Sequence, residues 1–109
     1  MLGQTRTKAQ MFQDLFNRFE AMKQIDNTLQ TLSFSYTSNI FTVIDRSIGD
    51  FLTAEITCNG HSFFTAFYDN GNSYSVVEKG SLDETIQYVI DEFHLVRIFG
   101  RSWLEKEKQ

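Results

Sequence analysis

Apolar residues in the first quarter of the chain recur at the spacing of an α-helix. Between residues 7 and 26 the main apolar positions are separated by three or four residues, and two Phe widen the stripe; together they are Met11, Phe12, Leu15, Phe16, Phe19, Met22 and Ile25. Such spacing places apolar side chains along one side of a helix. The pattern predicts an amphipathic helix from about Thr7 to about Asp26, where Asp26-Asn27-Thr28 has the composition of a turn.

From about residue 30, apolar residues occur at every second position. Residues 30–37 alternate apolar and polar side chains, and residues 40–48 form a second extended run that ends at Gly49-Asp50. Alternation of this kind is typical of a strand with one buried face. We therefore expect two strands in this part of the chain.

Two Asn-Gly pairs divide the centre of the chain into further strands. Asn59-Gly60 lies between the runs 51–58 and 61–68, and Asn70-Gly71 precedes the run 73–78. Asn-Gly readily adopts the positive φ angles of a type I′ turn, so each pair predicts a hairpin. The strands are expected to form an antiparallel meander.

A two-residue loop at Asn59-Gly60 predicts which side chains share a face. It places Cys58 opposite His61 and Ile56 opposite Phe63. One face of the hairpin is then apolar, with Leu52, Ala54, Ile56, Phe63 and Phe67. The opposite face carries three aromatic residues among polar ones, namely Phe51, Phe64 and Tyr68 with Thr53, Glu55, Thr57 and Ser62.

A capping box marks the start of a second long helix. Ser81 and Glu84 have the spacing at which each side chain accepts a hydrogen bond from the other residue's backbone N–H. The apolar stripe that follows consists of Leu82, Ile86, Val89, Ile90, Phe93 and Val96. Gly100 is expected to end the helix, and residues 101–109 are read either as one more short helix or as an extension.

These elements predict an α+β domain. An N-terminal amphipathic helix is followed by an antiparallel meander of three to five strands and a C-terminal helix, with the helices on one face of the sheet. The chain has 109 residues, 41% of them hydrophobic, and contains no Pro. It shows no linker or repeat, so residues 1–109 are expected to form a single domain. Its apolar runs are too short to span a membrane.

Charge is distributed unevenly along the chain. The formal net charge is −4. The acidic residues of the segment 45–92 are Asp45, Asp50, Glu55, Asp69, Glu78, Asp83, Glu84, Asp91 and Glu92, against the basic residues Arg46 and Lys79. An acidic centre repels nucleic acid and favours a basic protein as partner. The alternative is a solvated acidic surface that only promotes solubility.

The sequence contains no motif for a cofactor or a metal. Cys58 is the only cysteine, and together with the absence of an export signal this indicates a cytoplasmic protein. Cys58 and His61 resemble a catalytic pair, but no Gly-rich loop or helix N-terminus is expected beside them to stabilise an oxyanion. Cys58, His61 and His94 would together supply three zinc ligands, but they lack the paired spacing that is usual in zinc sites. Residues 69–72 resemble the start of a calcium loop but lack its acidic final ligand.

The aromatic face of the hairpin suggests a function. Three aromatic side chains opposite the main core need a cover, which is either a helix of the same chain or another protein. We expect a non-enzymatic protein-binding module that occludes a basic partner sterically, as an inhibitor or an immunity-type protein does. The expected contacts are aromatic (Phe51, Phe64, Tyr68) and acidic (Asp50, Glu55, Asp69).

Two other hypotheses remain open at this point. The domain is either a self-associating assembly module, a homodimer included, or a module that encloses a small ligand. Alternatively, it is a small enzyme that uses Cys58 and His61. Reactivity of the thiol separates the enzyme from the binding protein.

Overall fold

A computed structural model describes residues 6–49 and 52–105 of the chain. The helices are α1 (Lys8–Ile25), α2 (Leu82–Phe99) and the short α3 (Ser102–Glu105), and a single 3₁₀ turn spans Asn27–Leu29. The strands are β1 (Leu32–Tyr36), β2 (Phe41–Asp45), β3 (Leu52–Cys58), β4 (Phe63–Asp69), β5 (Asn72–Ser73) and β6 (Val77–Lys79). The predicted order of a helix, a group of strands and a helix is confirmed.

Helix α1 begins at a side-chain cap and ends at Asp26, whose backbone N–H donates to the Met22 carbonyl. The Thr7 hydroxyl accepts a hydrogen bond from the Gln10 N–H, and the Gln10 side chain accepts one from the Thr7 N–H, both at 3.1 Å. This reciprocal pair satisfies two N–H groups that the first turn leaves unbonded. At the other end, Asp26 accepts from the N–H of Thr28 at 2.9 Å and starts the 3₁₀ turn. The predicted helix limits are therefore confirmed.

The six strands form one antiparallel sheet. Its order is β1-β2-β3-β4-β5, and β6 also pairs with β4. The last predicted strand, 73–78, is thus divided into two short pieces along the same edge of β4. The break lies at Tyr74, which is only 5% exposed and whose N–H donates to the Phe67 carbonyl at 3.0 Å.

The β3–β4 hairpin has a longer loop than its Asn-Gly pair predicts. Cys58 lies opposite Phe63 and not opposite His61, so that residues 59–62 form a four-residue loop. The cause is the Asn59 side chain, whose Oδ1 accepts from the N–H groups of His61 (2.9 Å) and Ser62 (2.8 Å). The predicted Cys58–His61 register is wrong by two residues. Because a shift of two preserves the alternation of side chains, the predicted faces of the hairpin are unchanged.

Helix α2 begins at the predicted Ser81 cap, but the Glu84 side chain accepts from the Ser81 hydroxyl (3.1 Å) in place of the predicted Ser81 backbone N–H. The Glu84 N–H donates to the Ser81 hydroxyl at 3.2 Å. The helix ends at Gly100, whose φ of 74° lies in the region that glycine tolerates best. Leu104 of α3 is 1% exposed and joins the core.

Both long helices lie on the same face of the sheet. The Phe19 ring of α1 stacks on Phe34 of β1 at 4.5 Å and on Phe41 of β2 at 5.9 Å. In α2 the Phe93 ring meets Phe67 of β4 edge-on at 5.4 Å. The expectation that the helices cover one sheet face is confirmed. In the described part of the chain, no helix combines the length and apolar composition needed to cross a bilayer.

The aromatic layer between α1 and the sheet is expected to dominate stability. Phe19 is fully buried, so Phe19→Ala should lower the free energy of unfolding by about 3–5 kcal/mol, because it removes apolar contacts and leaves a cavity. Urea unfolding followed by circular dichroism measures this loss. Ile25→Ala is the control, since Ile25 is 87% exposed on the same helix and should cost less than about 0.5 kcal/mol. Equal losses in the two variants would contradict this packing.

Candidate functional site

The side of the sheet that faces away from the helices is the main candidate for a functional surface. Cross-strand pairs such as Glu55–Ala66 and Thr53–Tyr68 place their side chains on this side. We call it the open face; its members are Ser33, Ser35, Thr42, Ile44, Thr53, Glu55, Thr57, Phe64, Ala66, Tyr68, Ser73 and Glu78. None of the helices in residues 6–49 and 52–105 covers it.

Two aromatic residues and an acid form the centre of the open face. Phe64 and Tyr68 both project from β4, with the small Ala66 between them. Phe64 is half-buried, and Tyr68 is 37% exposed. Glu55, on the neighbouring strand, lies directly opposite Ala66 and therefore between the two rings. The predicted grouping of Phe64, Tyr68 and Glu55 on one face is confirmed.

The part of the open face formed by β3, β4 and β6 carries acidic side chains. Glu78 of β6 is exposed and lies opposite Phe64, so it adds a second carboxylate beside the aromatic pair. A basic residue, Arg46, directly follows β2 at another part of the same face. Its guanidinium donates to the Ser33 hydroxyl and to the Gln30 carbonyl. The aromatic centre therefore has acidic neighbours, while the basic group is engaged at a distant corner.

The other residues predicted to contact a partner fall elsewhere. Asp50 and Phe51 lie outside the described residues. Asp69 is next to Tyr68 in β4 and so faces the opposite side, where it lies opposite Leu52. It is 2% exposed, and its Oδ2 lies 3.1 Å from Arg101 Nε. The structure does not bring Asp69 to the open face.

Asp45 is a second buried acid, although the sequence pattern assigned it only to the acidic segment 45–92. Its Oδ1 accepts hydrogen bonds from the Thr31 hydroxyl (2.7 Å) and from both the N–H (2.9 Å) and the hydroxyl (2.7 Å) of Ser47. Its Oδ2 lies 3.1 Å from Arg97 Nε. Burial alone would raise the pKa of Asp45, but these hydrogen bonds and the Arg97 charge outweigh it and hold the pKa below its ordinary value.

The two buried acids fasten the end of α2 to the sheet. Arg97 and Arg101 are four residues apart, at and just beyond the C-terminal end of α2, and each reaches one aspartate. A sequence signal for this arrangement exists. Asp45 and Asp69 occupy positions where the alternation of their strands requires a buried side chain, which is unusual for an unpaired acid.

Burial of acids reduces the surface charge that composition alone indicates. Glu92, like Asp45 and Asp69, is buried, and its Oε1 accepts from Trp103 Nε1 at 3.0 Å. These three belong to the acidic segment 45–92. The acidity that a partner would meet is therefore more local than the sequence implies.

Cys58 and His61 do not form the cross-strand pair that the sequence predicted. Cys58 is 5% exposed and faces the helices, whereas His61 lies in the exposed hairpin loop. Burial raises the pKa of the Cys58 thiol. A thiol with a raised pKa is mostly protonated at neutral pH and is a weak nucleophile. Within residues 6–49 and 52–105, no group of three His, Cys, Asp or Glu is placed to hold a metal ion.

A groove of about 420 Å³ lies between α1 and the start of α2. Asn17, Ala21 and Leu82 line it together with Arg18, which is 3.2 Å from Asp83. The groove is wide open to solvent. A ligand there would have to compete with this ion pair, so the groove supports the small-ligand hypothesis less well than the open face supports protein binding.

Comparison of the chain with known protein families, curated proteins and solved structures finds no significant match. A function must therefore be inferred from the chain's own residues.

The Asp45–Arg97 pair is expected to make stability depend on pH. Asp45→Asn should lower the free energy of unfolding by about 3 kcal/mol at neutral pH, because Arg97 loses its buried counter-charge. Since the folded pKa of Asp45 lies below its unfolded value, the stabilisation is complete above the unfolded pKa and is lost as pH falls through the folded pKa. Urea unfolding from neutral pH to about pH 2 should show the wild type and the variant converging below about pH 4.

Asp91→Asn is the control for this experiment, because Asp91 is an exposed acid on α2. It should change the free energy of unfolding by less than about 0.5 kcal/mol at neutral pH. A gap between wild type and Asp45→Asn that stayed constant across the whole acid range would contradict the lowered pKa of Asp45.

The Cys58 thiol is expected to react slowly. At neutral pH, iodoacetamide should alkylate the folded protein at least about tenfold more slowly than the urea-unfolded chain, because the thiol is buried and its pKa is raised. Mass spectrometry of timed samples gives both rates. Faster reaction in the folded state would favour the Cys/His enzyme over a binding protein.

Proposed function

We propose that this protein is a non-enzymatic binding module whose open face docks a basic protein and occludes it sterically. The observation that carries the proposal is the placement of Glu55 between Phe64 and Tyr68 on a sheet face that no described helix covers. The proposal includes a cytoplasmic location, with which a single buried cysteine is compatible.

The aromatic pair supplies apolar burial. One solvated face is normal for an antiparallel sheet, and its usual residues are polar, as the Thr and Ser of the open face are. Phe64 and Tyr68 depart from that pattern. Aromatic residues are enriched at the centres of protein interfaces, where a polar surround excludes water from them. The Thr residues beside them, Thr53 and Thr57, form such a surround.

The acids select the kind of partner. Glu55 is half-buried on the open face, and a partner that covered it without a positive charge would leave a desolvated carboxylate unpaired. A Lys or Arg of the partner removes this cost. Glu55 and Glu78 together also attract a cationic surface over a distance, which raises the association rate at low salt.

The same argument disfavours self-association through this face. A two-fold contact between two open faces would bring the acids of both copies into one interface, where the described residues supply Arg46 alone as a basic group. Like charges brought together in this way cost free energy. The charge pattern therefore favours an acidic inhibitor or immunity-type protein over a module that self-associates through this face.

Charge reversal at the centre of the open face tests the proposal. The protein and its variants are immobilised, and proteins retained from source-cell lysate are identified by mass at about 0.05 M and about 0.5 M salt. We expect one basic protein, released at high salt. Glu55→Lys should weaken its binding at least about tenfold, because the cationic partner then meets a like charge, and Tyr68→Ala should weaken it through lost burial.

The control variant carries the same change of charge elsewhere. Asp91→Lys lies on the exposed side of α2 and should retain the partner. Recovery of a partner that binds equally well to Glu55→Lys and wild type, or one that is acidic and insensitive to salt, would refute the proposed function.

A further inference from the structure

The free edge of the sheet at β1 carries an inference that does not depend on the proposed partner of the open face. Strand β1 ends the sheet order and pairs only with β2 among the described strands. It has five residues, whereas β5 and β6 at the opposite side have two and three. It is therefore the longer edge, and an edge of this kind presents backbone groups that another strand can bind.

The hydrogen-bond pattern shows which groups of β1 point outward. Immediately outside the β1–β2 ladder, the Arg46 N–H donates to the Thr31 carbonyl and the Thr37 N–H donates to the Ile40 carbonyl, both at 2.9 Å. In an antiparallel pair, the residues that bond across alternate with residues whose N–H and C=O point away. Thr31 and Thr37 have odd numbers. The backbone N–H and C=O groups of the even-numbered residues of β1 therefore point away from β2.

These outward residues are Leu32, Phe34 and Tyr36. The Leu32 carbonyl is already occupied, because Lys23 Nζ of α1 donates to it at 2.9 Å. For Phe34 and Tyr36, no backbone partner on the outer side is present among residues 6–49 and 52–105. Their two N–H and two C=O groups form a compact set of two donors and two acceptors.

We propose that two copies of this chain pair antiparallel through their β1 edges, with a two-fold axis at Ser35. In this register Phe34 of one copy bonds Tyr36 of the other, and the reverse, so that all four groups are satisfied in four hydrogen bonds. A register centred on Phe34 would instead require the Leu32 carbonyl, which Lys23 holds. The free groups of this edge are thus self-complementary in one register.

The position of α1 fits this arrangement. Because Phe19 stacks on both Phe34 and Phe41, α1 lies over the β1–β2 pair. Strands are about 4.8 Å apart, so the two α1 helices of the pair would lie two strand spacings, or about 10 Å, from each other. Packed helices have interaxial distances of 8–10 Å. The edges can therefore join without a clash or a gap between the helices.

Phe16 would lie at the helix contact. Its ring is 6.4 Å from that of Phe34 and 5.9 Å from that of Tyr36, so it sits above the middle of β1. Phe16 is half-buried and Tyr36 is 36% exposed. Pairing would cover the remaining exposed parts of both rings, which adds apolar burial to the four backbone hydrogen bonds.

Charges placed at Ser35 test the axis directly. Ser35 is exposed on the open face and would meet Ser35 of the second copy in the close pair that lacks hydrogen bonds. Sedimentation should show the wild type reaching twice 12.7 kDa with rising concentration. Ser35→Asp and Ser35→Lys should each raise the dimer dissociation constant at least about tenfold through like-charge repulsion, and their equimolar mixture should restore dimers. Thr57→Asp, exposed on the same face of β3, should dimerise as the wild type does.

A cysteine substitution at position 35 tests the register of the two paired β1 strands. Ser35→Cys should form a disulfide-linked dimer on mild oxidation, because opposed residues of a close antiparallel pair have Cβ atoms at disulfide distance. Thr57→Cys should not. A wild type that remains monomeric up to about 1 mM would overturn the proposal. So would a dimer that Ser35→Asp leaves intact and Ser35→Cys fails to crosslink.

Discussion

Burial of a layer of aromatic rings between two helices and one face of the sheet determines where every other feature can lie. The members of this layer with no more than 2% exposure are Phe12, Phe19, Phe41, Phe67 and Phe93. Each large ring removes extensive apolar surface from water, and the rings come from both long helices and from two strands. Both helices are consequently committed to one side. The second side must face solvent or a partner, which is why it combines Thr and Ser with few apolar side chains.

Polar anchors complement this layer at one end of the sheet. Hydrophobic packing is largely non-directional, so it leaves the end of α2 free to shift along the sheet. The contacts Arg97–Asp45 and Arg101–Asp69 restrict that freedom, because each aspartate is fixed in a strand. Removing charges from water offsets much of what such pairs gain, so we assign them mainly to the orientation of α2. They also withdraw two acids from the surface, which concentrates the remaining acidity near Glu55 and Glu78.

Local patterns in the sequence predicted the elements and the faces. They failed where one local signal permits two different turns, and where residues distant in the chain decide. The caps of α1 and α2 and the alternation in β3 and β4 involve neighbours along the chain, so helix limits and faces followed from spacing alone. The hairpin register depended on Asn59, whose side chain can either support a two-residue turn or close a longer loop. The error of two residues misplaced the Cys58–His61 pair but left Glu55, Phe64 and Tyr68 together.

The site was predicted less completely for the same physical reason. Asp69 was grouped with the partner contacts by its charge, although its place in β4 already put it on the side opposite Tyr68. The guanidinium that makes its burial possible belongs to Arg101, more than thirty residues later in the chain. A pattern that compares neighbours cannot reveal such a pair. The edge of the sheet was hidden in the same way, since the order of strands is a property of the folded chain.

The open face and the β1 edge are separate surfaces, and their geometry links them. A two-fold axis at Ser35 that relates two antiparallel edge strands runs perpendicular to the sheet, so both open faces point to the same side. The acidic and aromatic centres of the two copies would then lie on one continuous surface. A partner with two basic patches, or one that is itself dimeric, would bind both centres, and the second contact would form at a high effective concentration. Edge pairing would therefore strengthen binding at the open face without changing any residue of it.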